Sequence, residues 1–166
     1  MGTSENLQAA FAGESQANRK YLAFAKKAEE EGFGMTAKLF RAAAEAETIH
    51  ALAHLNVMGG VKSTAENLQV AIAGEGHEFK EMYPKSLAEA EREQNEPAVK
   101  TFKHALAVEK VHHGLYSNAA GVLNSGKDLP AAKIFVCGIC GNTVLDAAPG
   151  ICPICGAPKT RFVEIE

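Results

Sequence analysis

The chain has 166 residues, of which 46% are hydrophobic and 7% aromatic, and its formal net charge is −3. It contains no cluster of Lys and Arg, so nucleic acid and anionic membrane surfaces are not expected partners. No apolar run approaches the roughly 20 residues that cross a bilayer, and no basic-then-apolar leader opens the chain. We therefore expect a soluble, cytoplasmic protein that does not enter a membrane.

Apolar residues recur at intervals of three and four through most of the chain, which is the spacing of one face of an α-helix. The pattern predicts four helices, over about 5–31, 36–58, 64–93 and 97–123. Ser63–Glu66 has the capping-box pattern that opens a helix, and Pro97 suits the first turn of the fourth helix. Pro84 lies inside the third helix and is expected to kink it or open a local break, because proline lacks the N–H that the helix needs.

Small polar residues and glycines mark the ends of the first two helices. Thr3 or Ser4 is expected to cap the start of the first helix. Gly32 and Gly34 are expected to end it, and Gly59–Gly60 is expected to end the second, because glycine readily adopts the left-handed conformation that closes a helix.

The composition changes near the end of the fourth helix. We predict a helical domain over 1–124, a polar, turn-forming linker over 125–133 and a small metal-binding domain over 134–166. In the last domain, Ile134–Val136 and Arg161–Ile165 read as short strands that flank the cysteines. This segment is too small to be held by a hydrophobic core, so a metal must supply much of its folding energy.

The helical part contains an internal repeat. Residues 3–14 recur at 64–75 with nine of twelve positions identical, and each copy ends in a glutamate, Glu14 or Glu75. About one helix later, each copy is followed by a Glu-x-x-His motif. The two motifs are Glu47–His50 and Glu109–His112.

These acidic residues and histidines form a recognisable ligand set. A lone Glu from each of two helices, with Glu-x-x-His from each of two others, can hold a carboxylate-bridged pair of metal ions inside a four-helix bundle. The alternative is that the glutamates lie on solvated helix faces. The metal interpretation is favoured because the glutamates occupy the apolar stripes and recur in register, and inward carboxylates would repel one another without cations. The predicted ligands are Glu14, Glu47, His50, Glu75, Glu109 and His112.

Three further residues lie close to these ligands in sequence. Glu78 follows Glu75 by three residues, whereas the equivalent position in the first repeat is Ala17, so Glu78 is a seventh candidate ligand. Tyr21 and Tyr83 could each donate a hydrogen bond to a ligand carboxylate. The alternative, that both are ordinary tyrosines of the helix core, stays open on the pattern alone.

Two Cys-x-x-Cys pairs stand near the end of the chain, each followed by glycine. Paired loops of this kind give tetrahedral thiolate coordination of one metal ion. A structural zinc site has the same spacing, but iron is the better expectation beside a redox-active dinuclear site. Thioredoxin-like chemistry is disfavoured, because no βαβ pattern surrounds either pair. The predicted ligands are Cys137, Cys140, Cys152 and Cys155.

On these motifs the chain resembles the rubrerythrins. The matching segments are Ala-Gly-Glu in both repeats, both Glu-x-x-His motifs, Met-Tyr-Pro at 82–84 and both cysteine pairs. The resemblance covers essentially the whole length and implies an all-α four-helix ferritin-like bundle followed by a small rubredoxin-like β/knuckle metal domain. Asn142 departs from the pattern, because rubredoxins commonly have an aromatic residue after the Cys140–Gly141 step.

The resemblance also implies roles for the ligands of a di-iron site and a mononuclear Fe(Cys)4 site. Glu47 and Glu109 would bridge the two irons, with Glu14 and Glu75 as terminal ligands. His112 would bind the second iron. The first iron would exchange Glu78, in the oxidised state, for His50, in the reduced state.

The function implied by the resemblance is that of a peroxidase in oxidative-stress defence. It would reduce hydrogen peroxide to water with electrons from NAD(P)H, delivered by rubredoxin or an NAD(P)H-dependent reductase and relayed through the cysteine-bound iron. The expected catalytic residues are Glu78, His50, Tyr21 and Tyr83. A ferroxidase or iron-storage role and a structural protein with zinc at both sites are the alternatives.

The connection between the second and third helices bears on assembly. In a ferritin-like bundle these helices run parallel, so their link must travel the length of a helix, about 36 Å for 24 residues. The five residues 59–63 reach at most about 17 Å. We therefore expect a domain-swapped homodimer or a higher oligomer, although an antiparallel turn at this point is also geometrically possible.

Overall fold

The computed structural model describes residues 2–166 and is mainly helical. Its helices are α1 (Thr3–Glu30), α2 (Gly34–Val57), α3 (Thr64–His77), a π-helical turn (Glu78–Met82), α4 (Tyr83–Arg92), α5 (Glu96–Leu123) and a 3₁₀ turn (Lys159–Arg161). Its strands are β1 (Ile134–Cys137), β2 (Thr143–Leu145) and β3 (Phe162–Ile165). The chain divides into two compact units, of which the first ends at Lys62 and the second is Ser63–Glu166.

The first unit is a hairpin of α1 and α2, and alanines allow the two helices to pack closely. Ala25, Ala37 and Ala44 are each no more than 2% exposed. The buried amide of Asn18 joins the two helices, since its Nδ2 donates to the Ala44 carbonyl at 2.7 Å and to Thr48 Oγ1 at 2.8 Å. Small apolar contacts and one buried amide therefore set the register of this hairpin.

The ends of the hairpin helices correct two sequence predictions. The expected Thr3 or Ser4 cap is wrong: Gly2 is the N-cap, and its backbone N–H donates to Glu5 Oε2 at 2.8 Å. Gly32 ends α1 as predicted, with φ +84°. Gly34, however, begins α2, because the chain has completed its reversal by Phe33, whose N–H donates to the Ala28 carbonyl at 2.8 Å.

In the second unit, α3 and α4 pack against α5. The predicted capping box at the start of α3 is confirmed, because Glu66 N–H donates to Ser63 Oγ at 3.3 Å and Ser63 N–H donates to Glu66 Oε2 at 3.2 Å. Pro97 lies in the first turn of α5 as expected. The break predicted at Pro84 takes the form of the π-helical turn, in which Tyr83 N–H donates to the Glu78 carbonyl five residues back.

The cysteine module, residues 134–166, contains a three-stranded antiparallel sheet in the order β2–β1–β3. Ile134 on the central strand lies opposite Leu145 on one side and Ile165 on the other. Two of the strands were predicted, but β2 was not. The third strand begins at Phe162, one residue later than expected, because Arg161 belongs to the 3₁₀ turn.

Among the helices of residues 2–166, none combines the length and apolar character of a membrane span.

Candidate metal centres

The first unit brings three of the predicted ligands together. Glu14 on α1 and the pair Glu47 and His50 on α2 place their ligand atoms within 4.8 Å of one another. His50 Nδ1 lies 3.0 Å from Glu47 Oε2. The hydrogen bond between the two carboxyl groups raises the pKa of Glu14 and lowers the pKa of Glu47, so Glu14 gives up its proton less readily than Glu47 does.

The second unit repeats this arrangement. Glu75 on α3 and the pair Glu109 and His112 on α5 also place their ligand atoms within 4.8 Å of one another. His112 Nδ1 lies 2.9 Å from Glu109 Oε2 and 3.6 Å from Glu75 Oε2. In both units the Glu-x-x-His spacing puts the imidazole one helical turn beyond the carboxylate, on the same face.

The environment of Glu75 fits a cation. Burial, followed by the neighbouring carboxyl group of Glu109, raises the pKa of Glu75 to about 7. Its Oε2 atom is buried without a hydrogen-bond partner within residues 2–166. A buried acceptor left unpaired beside a second carboxylate is costly, and a divalent cation bound by oxygen and imidazole ligands removes that cost.

Three further residues, Glu78, Tyr83 and Tyr21, were predicted to act at the di-iron site. Glu78 and Tyr83 lie close to the second cluster. Glu78 is half-buried and is the first residue of the π-helical turn, although its ligand atoms are not part of the three-residue cluster. Burial raises the pKa of Tyr83, and the charges of Glu109, Glu78 and Glu75 raise it further. The Tyr83 hydroxyl is therefore within electrostatic reach of all three carboxylates.

Tyr21 has different surroundings. It is half-buried in the first unit, with its ring centroid 6.3 Å from that of Phe24 and 6.2 Å from that of Phe40. Phe24 and Phe40 also contact each other, edge to face, at 5.6 Å. Tyr21 thus belongs to an aromatic cluster of the hairpin, which is the packing role that the sequence left open for it.

The four cysteines form the third cluster, with their sulfur atoms within 4.8 Å of one another. None of the four is in a disulfide; Cys137 Sγ lies 3.7 Å from Cys155 Sγ, and Cys140 Sγ lies 3.6 Å from Cys152 Sγ. These distances are much longer than the roughly 2 Å of a disulfide bond. They fit four ligands around one metal ion.

Backbone donors favour the thiolate form of Cys152. Burial alone would raise the pKa of Cys152, but the N–H groups of Cys155 and Ile154, with hydrogen bonds from the Cys155 and Cys140 side chains, lower it to about 7. Burial raises the pKa of Cys140 and of Cys155. Gly141, with φ +85°, and Gly156, with φ +76°, adopt the left-handed conformation that each knuckle requires after its second cysteine.

Two polar residues of the cysteine module were not predicted to act at the metal sites. Asn142 is only 2% exposed, and its Nδ2 donates to Cys152 Sγ at 3.8 Å. Thr143 Oγ1 lies 3.0 Å from His112 Nε2. The sequence marked Asn142 only as a departure from an aromatic position. It gave no signal for the contact of Thr143, because the two partners are 31 residues apart.

Comparisons with known proteins agree with this geometry. The Rubrerythrin family model matches residues 5–120, and the model described as "Rubrerythrin, rubredoxin-like domain" matches residues 135–163. Rubrerythrin-2 of Clostridium acetobutylicum is 37% identical over 174 residues, covering 96% of this chain and 95% of the relative. Nigerythrin of Nitratidesulfovibrio vulgaris is 38% identical over 174 residues, covering 96% and 85%.

The solved structure of nigerythrin in a partially reduced state covers 99% of this chain and 88% of its own, with 34% identity and a TM-score of 0.59. The fully reduced, all-ferrous nigerythrin structure also has a TM-score of 0.59. These similarities confirm the predicted fold class, a ferritin-like four-helix bundle followed by a rubredoxin-like module. Together with the clusters of Glu, His and Cys, they also confirm the predicted cofactor sites, a di-iron site and a rubredoxin-like site of four cysteines.

Proposed function

Because the chain belongs to the rubrerythrin family of di-iron oxidoreductases, we propose that it is a peroxidase that reduces hydrogen peroxide to water in oxidative-stress defence. The observation that carries the proposal is the pair of Glu and Glu-x-x-His clusters in a chain that also holds a cluster of four cysteines. When bound, a ferrous pair supplies the two electrons that cleavage of the O–O bond requires, and the thiolate iron returns electrons singly.

The proposed ligand roles are those that the resemblance to rubrerythrins implies. Glu47 and Glu109 would bridge the two metals, Glu14 and Glu75 would each bind one metal, and His112 would bind the second. His50 and Glu78 would alternate at the first metal. The position of Glu78 at the start of a π-helical turn supports this exchange, since π-helical turns are frequent at functional sites.

Proton transfer is assigned to Glu78 and Tyr83. A Glu78 carboxyl group that is not bound to a metal could hold a proton and pass it to the departing oxygen. The Tyr83 hydroxyl, whose pKa is raised by burial and by the surrounding carboxylates, stays protonated and can donate a hydrogen bond. Tyr21 and His50 were also expected to act in catalysis. Of these, we retain His50 as a ligand, and the aromatic packing of Tyr21 favours a structural role.

We further propose that the active form is a domain-swapped homodimer, in which each di-iron site takes its ligands from two chains. One chain would supply Glu14, Glu47 and His50, and its partner would supply Glu75, Glu78, Glu109 and His112. The supporting observation is the short link between α2 and α3, which spans only 58–63. Leu39, Ile49 and Leu52 of the first unit are each more than half exposed in a single chain.

A complementation experiment tests the swap. Glu14→Gln with Glu47→Gln removes the first cluster, and Glu75→Gln with Glu109→Gln removes the second. In mixed swapped dimers, one site of two regains all its ligands, so random association restores about a quarter of wild-type di-iron sites. If each site forms within one chain, co-expression of the two variants restores none.

Stopped-flow oxidation of the reduced protein tests the peroxidase assignment. We expect hydrogen peroxide to oxidise the diferrous protein faster than dioxygen does, and equal or slower reaction with peroxide would overturn the assignment. A large cage that retains many irons per chain would instead favour the ferroxidase or storage alternative. Electron delivery by rubredoxin or an NAD(P)H-dependent reductase in the cytoplasm is part of the proposal. Peroxide-dependent oxidation of pre-reduced rubredoxin tests the first donor, and peroxide-dependent NAD(P)H consumption in a mixture with the purified reductase tests the second.

The predicted division of the chain is retained in this proposal. The helical part, 1–124, would hold the di-iron ligands, 125–133 would act as the linker, and 134–166 would deliver electrons. No regular secondary structure is assigned to 127–133.

A further inference from the structure

The second unit contains a polar contact between the cysteine module and a ligand of the predicted di-iron site. Thr143, the first residue of β2, places its Oγ1 atom 3.0 Å from Nε2 of His112 on α5. Both side chains are half-buried. Gly141 has no Cβ atom, but a Cβ atom placed on its backbone would lie 3.6 Å from Val108 Cγ1. The first knuckle therefore also packs on α5, about one turn before His112.

The direction of the hydrogen bonds follows from the second partner of Thr143. The Thr143 hydroxyl donates to the Gly141 carbonyl at 3.2 Å, so towards His112 its oxygen offers only a lone pair. Nε2 of His112 must therefore carry the proton and donate it to Thr143. In the neutral imidazole this leaves Nδ1 with the free lone pair.

Nδ1 is the nitrogen that faces the acidic ligands, 2.9 Å from Glu109 Oε2 and 3.6 Å from Glu75 Oε2. A lone pair aimed at carboxylates is unfavourable unless a proton or a cation lies between them. The tautomer that Thr143 selects is therefore the one that a metal at this cluster needs. Hydrogen bonds from the distal nitrogen of a ligating histidine commonly fix its tautomer and ring orientation in this way.

We propose that Thr143 is a positioning residue for the di-iron site: it orients His112, and it ties the first cysteine knuckle to the same histidine. The two hydrogen bonds join the backbone immediately after Cys140 to a di-iron ligand within one chain. Docking of the cysteine module and metal binding at His112 would therefore strengthen each other. The inference rests on the proposed function only in assigning metal to the Glu75–Glu109–His112 cluster.

The test is Co²⁺ titration of full-length protein whose di-iron site has been depleted of metal and whose cysteine site is loaded. Thr143→Val keeps the shape of the side chain but removes the hydroxyl, and Thr143→Ser keeps the hydroxyl. We expect Thr143→Val to weaken Co²⁺ binding at the helical site by about tenfold or more, which is the usual effect of losing a partner of a ligating histidine. Thr143→Ser should stay close to wild type, and Thr101→Val, an exposed change on the same helix, is the matched control.

Hydrogen exchange gives a second readout that does not depend on activity. In the holoprotein, loss of one hydrogen bond should speed exchange in β2 and the first knuckle by about fivefold. Wild-type affinity in Thr143→Val would overturn the proposal. A loss in Thr143→Ser as large as that in Thr143→Val would also overturn it, because Ser keeps the hydroxyl group. If Thr143→Val does not fold, Thr143→Ala against Thr143→Ser makes the same comparison. Neither readout involves peroxide, so failure of the peroxidase assignment would leave this result standing.

Discussion

Replacement of Glu75 by Gln is predicted to stabilise the metal-free protein at alkaline pH. Burial, with the help of Glu109, raises the pKa of Glu75 from an ordinary value of 4.5 to about 7. The folded protein therefore holds a proton that the unfolded chain releases. The stability that the protonated Glu75 carboxyl group contributes is fully present below about pH 4.5. This stability is lost as the pH rises through about 7. This loss of stability is at most about 3 kcal/mol, because a shift of one pKa unit corresponds to about 1.4 kcal/mol.

Denaturant unfolding of the metal-depleted proteins at about pH 5 and about pH 8.5 measures this contribution. We expect wild type and Glu75→Gln to be similarly stable at the lower pH, where the carboxyl group is mostly protonated. At the higher pH the variant should be more stable by about 2 kcal/mol, since the amide is neutral at both values. Glu45→Gln, at an exposed position on α2, is the control and should change stability by less than about 0.5 kcal/mol.

Bound metal should reverse the order of stability of wild type and Glu75→Gln. Bound cations require the Glu75 carboxylate, so metal-loaded wild type is expected to be more stable than metal-treated Glu75→Gln. The absence of any gain from Glu75→Gln in the metal-free protein at alkaline pH would refute the reasoning, because it would mean that the buried carboxylate carries no cost that a cation needs to remove.

Three further perturbations follow from single contacts. Asn142→Val removes the N–H donor to Cys152 Sγ. It should lower the reduction potential of the thiolate iron, because hydrogen bonds to sulfur stabilise the more negative, reduced centre. A spectroelectrochemical titration measures this potential, and an unchanged value would contradict the prediction. Asn18→Leu should cost about 1–3 kcal/mol in denaturant unfolding, since the Thr48 hydroxyl and the Ala44 carbonyl lose a buried donor. Ser63→Ala should cost about 1 kcal/mol by loss of the helix cap, whereas Ser4→Ala, at a position that does not cap α1, should cost little.

The features that could be predicted from the sequence are those that depend on neighbouring residues. The capping box at Ser63 and the left-handed Gly32 each require only a local hydrogen-bond pattern or a backbone conformation. The same local reasoning failed at Thr3 and Ser4, because the backbone N–H of Gly2 and the carboxylate of Glu5 formed the cap instead. The duplicated motif was enough to predict the three candidate ligands that lie together in each unit.

Features that depend on distant pairing could not be predicted. Strand β2 has only three residues, which is too short for an alternating pattern, and its position is set by pairing with β1. Pro84 predicted a break in the third helix, but the π-helical form depends on the bond from Tyr83 to Glu78. Thr143 meets His112 only because the cysteine module packs on α5, a contact that no local pattern encodes.

Mössbauer spectroscopy combined with metal analysis, on iron-loaded wild type and on the double variant Glu47→Gln with Glu109→Gln, tests the central claim most directly. The half-buried carboxylates that the two repeats bring together would be neutralised by a pair of bound cations. Wild type should therefore show about two irons with oxygen and nitrogen ligands for each thiolate-bound iron. The variant should keep the thiolate iron and lose the other two. Unchanged oxygen-ligated and nitrogen-ligated iron in the double variant would contradict the claim.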